Sequence, residues 1–241
     1  MRYIFLSPHL DDISLSCGGI VNHLYNKGMS VEIWTFFAGI PKTQTLTPFA
    51  KSLHDRWKLS DDAPSIRREE DITACSVLGA SHKHFDYLDC IYRLDEQGEP
   101  IVKKEEDLYQ DLPSSQFPLI EEISNLIQSE INQDEIIVAP MTIGNHIDHQ
   151  IINQSVIKSP KNNLMFYEDF PYVIKTGDHP MQIQNLKSVH FNLSAENIKN
   201  WYQSISAYKS QISTFWINIE RMEKEIKEFN KKGGGKHLWK A

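Results

Sequence analysis

Residues 2–39, RYIFLSPHLDDISLSCGGIVNHLYNKGMSVEIWTFFAG, carry the topology. RYIFLS (2–7) is a short apolar run of strand-forming residues, closed by Pro8, and reads as a buried strand. The next stretch, 13–28, reads as a helix with Ile20, Val21, Leu24 and Tyr25 on one face. Gly28 is placed to end it. MSVEIWTFFAG (29–39) is then a second strand. Strand, helix and strand at this spacing form a βαβ unit, and hence the start of a parallel sheet in an α/β protein.

Outward from this unit the same alternation continues. Residues 41–63 lack clean periodicity and read as a long loop with a short helix near Leu53–Leu59, of the kind that borders active sites. A helix is expected over 65–80 with Ser65 as its cap, and a strand over KHFDYL (83–88). Residues 93–116 are polar and acidic, an excursion from the core. FPLIEEISNLIQSEI (117–131) is an amphipathic helix, DEIIVAP (134–140) a buried strand, and IDHQIINQSVI (147–157) a helix. NLMFYEDF (163–170) is strand-like, and 173–193 is hairpin-like. Ile198, Trp201, Ile205, Tyr208, Ile212 and Phe215 recur at helical spacing, so one long amphipathic helix is expected from about Ser194. A charged helix to about 232 with Met222, Ile226 and Phe229 as its apolar stripe follows, and Gly233–Gly235 mark a flexible tail, 233–241. The whole, 1–241, reads as a single domain with a core of about 1–193 and C-terminal helices over about 194–232.

Composition removes several classes of function. A formal charge of −7 argues against a nucleic-acid or anionic-membrane surface. Three cysteines, Cys17, Cys75 and Cys90, without C-x-x-C spacing, support neither a disulfide framework nor a thiolate zinc site. No apolar run approaches the roughly 20 residues of a membrane helix. The N-terminus lacks the basic start and apolar run of a signal peptide. A cytoplasmic protein is the expectation. Homo-oligomerisation is left open, with 221–232 as the place for a dimer contact.

Two segments carry chemistry: SPHLDD (7–12) after the first strand, and GNHIDHQ (144–150) after DEIIVAP. Ligand sites of open α/β sheets lie beyond the carboxyl ends of the strands, so the two segments can meet. Together they offer three imidazoles (His9, His146, His149) and three carboxylates (Asp11, Asp12, Asp148). Two histidines with one carboxylate suit zinc, and also ferrous iron. Either motif alone would read as a helix cap or solvated loop. Six such groups gathered without a function would be costly to desolvate.

With Pro8-His9-Leu10-Asp11-Asp12, Gly18-Gly19, and His146-Ile147-Asp148-His149, the chain resembles the PIG-L/LmbE superfamily of de-N-acetylases. Arg67-Arg68-Glu69-Glu70 leading to Leu78-Gly79 adds a third match. The resemblance implies a Rossmann-like α/β sandwich, mostly parallel, and a zinc hydrolase that removes acetyl from an N-acetylglucosamine-type conjugate. It implies His9, Asp12 and His149 as zinc ligands and Asp11 as general base. His146 would protonate the amine or stabilise the oxyanion, and Asp148 would orient His146 or otherwise support the site. Arg67, or in its place Arg68, would bind substrate. Gly144 stands where some members carry an oxyanion tyrosine, which leaves the metal, His146 or Tyr167 for that part. The segment 167–172, Tyr-Glu-Asp-Phe-Pro-Tyr, is expected to touch substrate. Trp57 is the tryptophan expected near the site. Alternatives are hydrolysis of another amide, in a thiol precursor or antibiotic intermediate, and a non-catalytic metal- or sugar-binding module. A nucleotide-binding Rossmann protein is disfavoured, since no G-x-G-x-x-G follows the first strand.

Overall fold

The computed structural model describes residues 1–41, 46–60, 62–159, 163–176 and 186–240. β1 (Arg2–Ser7), α1 (Asp12–Asn26) and β2 (Ser30–Thr35) form the expected unit, with β1 and β2 parallel from Arg2↔Ser30 to Ser7↔Thr35. α2 (Pro48–Trp57) and α3 (Ala63–Leu78) lead to β3 (Ser81–His84), α4 (Phe117–Glu130) to β4 (Ile136–Pro140), and α5 (Ile147–Lys158) to β5 (Leu164–Tyr167). The chain closes with α6 (Tyr172–Thr176), β6 (Lys187–His190), α7 (Ala195–Ala207), α8 (Lys209–Phe215), α9 (Ile219–Lys231) and β7 (His237–Lys240).

The sheet order is β3-β2-β1-β4-β5-β7-β6. The first five strands pair in parallel, while β7 is antiparallel to both neighbours. The architecture is therefore α/β with a mostly parallel sheet, as expected. Successive side chains of a strand face opposite sides, and β1 shows the consequence. Ile4 and Leu6 pack with α4 and α5 through Ile123, Ile127, Ile151 and Ile152. Phe5 packs on the other face with α1 and α3 through Ile13, Ile20, Cys75 and Leu78. Each such side chain, fully buried, contributes about 1.5–3 kcal/mol. β1 is thus the centre of the sandwich, and its carboxyl end is fixed from both sides.

Four expectations change. β3 ends at His84 instead of reaching Leu88, and 85–89 turn toward the site. The helix over 63–78 starts after Asp62, ahead of Ser65, and the Asp62 side chain makes no capping hydrogen bond. The helix from Ser194 breaks at Tyr208 (φ −82°, ψ 67°), because the Tyr208 hydroxyl is drawn inward to donate to Asp71 Oδ1 at 2.6 Å. Ser194 does cap α7, accepting from Asn197 N. The tail is part of the sheet up to residue 240: β7 inserts between β5 and β6, with Leu238 buried. Its glycines serve close packing, since an added Cβ at Gly234 or Gly235 would overlap Phe229 or Trp201. Of the hairpin-like region, 177–185 lie outside the described residues. No helix among the described residues is long and apolar enough to cross a membrane.

Candidate active site

The first loop is tied to itself. Ser7 Oγ donates to His9 O at 2.6 Å, Asp11 N to His9 O at 3.0 Å, and His9 N to Asp12 Oδ2 at 2.7 Å. This turn puts the His9 ring and both carboxylates at the end of β1. In the second loop, Thr142 (φ 66°), Gly144 (φ 90°) and Asn145 (φ 62°) adopt left-handed backbone. Such conformations cost about 1–3 kcal/mol each for non-glycine residues and persist only where surroundings impose them. Here Asp169, beyond β5, accepts from Ile143 N at 2.9 Å. His146 then caps α5, its Nδ1 accepting from Asp148 N at 3.3 Å.

The loops meet. His9, His146 and His149 offer ring nitrogens within 4.8 Å of one another. Asp12 spans two of them, with Oδ2 3.3 Å from His9 Nδ1 and Oδ1 3.4 Å from His149 Nε2. Asp11 lies beside them, 3.8 Å from Arg67. A cleft of about 170 Å³ opens over this floor. His9, Asp11, Asp12 and His146 line it, with Arg67, Asp89 and Tyr172.

Two further carboxylates, Asp148 within the second motif and Asp169 outside both, orient the imidazoles. His149 Nδ1 bonds Asp169 Oδ1 at 2.6 Å, and His9 Nε2 bonds Asp148 Oδ2 at 2.9 Å. Asp148 also pairs with Arg93 and accepts from Cys90 N at 3.1 Å. Its carboxylate therefore serves His9, and only its backbone N–H reaches His146.

Electrostatics follow from this arrangement. Burial pushes the Asp11 carboxyl up to about 7, against Arg67 and with the help of Asp12. Asp12 is held well below the usual range, because His149 and His9 outweigh its burial. Burial is likewise outweighed at His149, which Asp12 and Asp169 raise to about 9, and at His9, raised by Asp89, Asp12 and Asp148. Burial, with His9 and His149 nearby, lowers His146 well below its ordinary value. Five carboxylates (Asp11, Asp12, Asp89, Asp148, Asp169) thus face two guanidiniums, Arg67 and Arg93. This excess of carboxylate is compatible with a divalent cation, whose binding to the imidazoles would release their protons. The donor set, imidazole nitrogens with one spanning carboxylate, fits zinc or ferrous iron.

Two expected substrate residues lie elsewhere. Arg68 turns away to bond Asp86 Oδ1 at 2.6 Å and Phe85 O at 3.3 Å. Tyr167 is fully buried in the core, its hydroxyl donating to Leu6 O at 3.3 Å, so it is no oxyanion donor. Both follow from geometry: Arg68 is one helical position past the cleft-facing Arg67, and Tyr167 is still within β5. Arg67 does line the cleft, stacked 4.6 Å over the ring of Trp57. Where Gly144 stands, the ring of Tyr172 fills the space, and an added Cβ would fall 2.6 Å from its Cγ. Asp89 and Arg93 were missed, and Asp169, in the segment expected to touch substrate, holds His149 instead. The rule that sites gather at strand ends, applied to β3 and β5 as well as to β1 and β4, finds all three.

The family model for the GlcNAc-PI de-N-acetylases (PIG-L) matches residues 4–159, from β1 past both motifs and through α5. The chain belongs to this family. It is accordingly a de-N-acetylase-type hydrolase. It is 26% identical over 191 residues to the 2'-N-acetylparomamine deacetylase of Niallia circulans, covering 70% of this chain and 67% of that one. The zinc-inhibited form of teicoplanin deacetylase Orf2 superposes with a TM-score of 0.85 at 28% identity, over 100% of this chain and 97% of that one. The A40926 pseudoaglycone deacetylase Dbv21 gives 0.75 at 27% identity, over 99% and 96%.

Proposed function

We propose that this enzyme is a zinc-dependent deacetylase that hydrolyses the acetamido group of an N-acetylglucosamine-type sugar conjugate, releasing acetate and a free amine. The observation that carries the reading is the meeting of His9, Asp12 and His149, with Asp12 spanning the two rings, at a cleft that His9, Asp11 and Asp12 line. Those three residues are the metal ligands in this reading. A bound divalent ion supplies a Lewis acid and a nucleophilic water at neutral pH.

The chain's own groups do the rest. Asp11 accepts the proton of the attacking water. Its carboxylate is buried beside Asp12 and 3.8 Å from Arg67, within reach of a water at the metal position. The water oxygen bonds to the acetyl carbon, and the carbon–nitrogen bond breaks. His146 accepts at Nδ1 from Asp148 N, so its neutral ring carries the proton on Nε2. That proton is donated toward the developing oxyanion or the departing nitrogen. Asp148 keeps the His9 ring in place and Asp169 the His149 ring. Arg67, held on Trp57, offers its N–H groups to the sugar.

The cleft, at about 170 Å³, is smaller than the roughly 300–1,000 Å³ of most ligand pockets. It suits one acetamido sugar, with the remainder of the substrate at the mouth. The relatives favour an amino sugar borne on an antibiotic scaffold, since those named act on paromamine and teicoplanin compounds. The test is metal analysis of the purified protein followed by acetate release from a panel of N-acetylglucosamine conjugates. Stoichiometric zinc, activity lost to a chelator and activity restored by zinc are expected. Iron in place of zinc revises the metal, and undiminished acetate release after chelation sinks the proposal.

A further inference from the structure

The reading above leaves Glu70 and Asp71 without a task, although they stand one turn beyond Arg67 on α3. Their carboxylates meet the break between α7 and α8. Tyr208 donates its hydroxyl to Asp71 Oδ1 at 2.6 Å, and Asp71 Oδ2 is bonded by His84 Nε2 at 2.6 Å. Ser210 donates its backbone N–H to Glu70 Oε1 at 2.9 Å and its hydroxyl to Glu70 Oε2 at 2.5 Å. Tyr208, Ser210 and Asp71 are buried. The break and the first turn of α8 are therefore fastened to the helix that carries Arg67. What α8 brings to the cleft is Gln211, Thr214 and Phe215, beside Trp57 of α2.

We propose that Glu70 is a positioning residue for substrate specificity. It fixes α8 as a wall that takes an uncharged part of the substrate lying beyond the acetamido ring. This rests on the deacetylase reading. The imidazoles and carboxylates of the floor are sufficient for the amide. The α8 wall has an amide, a hydroxyl and an aromatic ring, and no ionisable group. Where α2 continues the wall with a charge, Arg56 is already paired with Glu105 at 3.1 Å. A neutral group with one apolar face and hydrogen-bonding edges is what such a surface accepts. Without the Glu70 contacts, the break would still be tied through Tyr208 and Asp71, but the first turn of α8 would lose its own fastening to the helix that carries Arg67.

The experiment compares acetate release from free N-acetylglucosamine and from its 4-nitrophenyl glycoside, using zinc-loaded enzyme. Wild type should show the lower KM for the glycoside. Glu70→Ala should raise that KM about tenfold, leaving kcat and KM for the free sugar within about twofold, a loss of uniform binding at one subsite. Glu70→Gln, which still accepts from Ser210, should restore most of the difference. Equal effects of Glu70→Ala on the two substrates, or none on either, overturn the proposal. So does Glu70→Gln behaving like the alanine variant while melting like wild type. Wild-type enzyme that releases acetate from neither substrate overturns the N-acetylglucosamine reading on which this proposal rests, and the proposal with it.

Discussion

The Asp11 carboxyl is buried between Asp12 and Arg67, and burial raises it to about 7 in the metal-free chain. A group whose pKa is higher folded than unfolded stabilises the fold at low pH, and that contribution disappears as pH rises through the folded value. For Asp11 the loss runs from about pH 4, its unfolded value, to about 7. Asp11→Asn removes the titration. Metal-free Asp11→Asn should therefore melt above wild type at pH 8, with the gap closing toward pH 4. The metal-loaded variant should lose about 10²–10⁴-fold in kcat, the usual contribution of a general base. Melting curves over this pH range check the first part; a gap that does not change with pH would assign the strain to another group. At this scale the sequence was informative where chemistry is clustered. His9, Asp11, Asp12, His146, Asp148 and His149 come in two short runs, each at a strand end. Asp89 and Arg93 come singly from the chain beyond β3, where a lone Asp or Arg has no spacing to mark it and only its place past a strand end points to it; Asp169 was marked by its segment but not for its part in holding His149.

Among the elements, the contact of α1 with α7 depends on a pair of glycines. An added Cβ at Gly18 would lie 2.8 Å from Trp201 Cδ1, and at Gly19 2.8 Å from Leu193 Cδ1. Trp201 cannot swing aside, because it is fully buried and its Nε1 donates to Ser14 O at 2.6 Å. Gly18→Ala gains at most about 1 kcal/mol in helix propensity. Overpacking a filled core costs about 1–3 kcal/mol. The non-helical backbone of Cys17 next to it (φ −150°, ψ 25°) trims the gain further. Overpacking should win, and urea unfolding should give a lower midpoint with an unchanged slope. A midpoint equal to or above wild type would mean that α7 can yield. The Gly18-Gly19 pair announced close packing, but its partners lie over 170 positions away and could not be read. The break at Tyr208 was equally hidden: Ile205, Tyr208 and Ile212 keep helical spacing straight through it, and only the buried carboxylate of Asp71 explains the turn.

Over the whole molecule, the parallel half of the sheet was legible because each strand precedes a helix of clear period. The antiparallel end was not, since β7 is four residues after a glycine run that reads as loose chain. Yet β7 joins the sheet to the site. It pairs with β5 through Phe166↔Trp239 and with β6 through Val189↔Leu238. Trp239 Nε1 also donates to Glu168 Oε1 at 3.1 Å. Glu168 precedes Asp169, which holds both His149 and Ile143. A chain stopped after Lys236 would bare the edge of β5, and an exposed strand edge is a template for association. It would also slacken the segment that orients one metal ligand, a loss that typically weakens binding about 10–100-fold. The truncated protein should therefore elute as larger species in size-exclusion chromatography. Its monomeric fraction should bind zinc correspondingly less tightly in a competition titration. Aggregation with wild-type zinc affinity in that fraction would separate the two effects and confine β7 to guarding the sheet edge. Weakened zinc binding in a fully monomeric protein would place its importance in the Trp239–Glu168–Asp169–His149 connection instead.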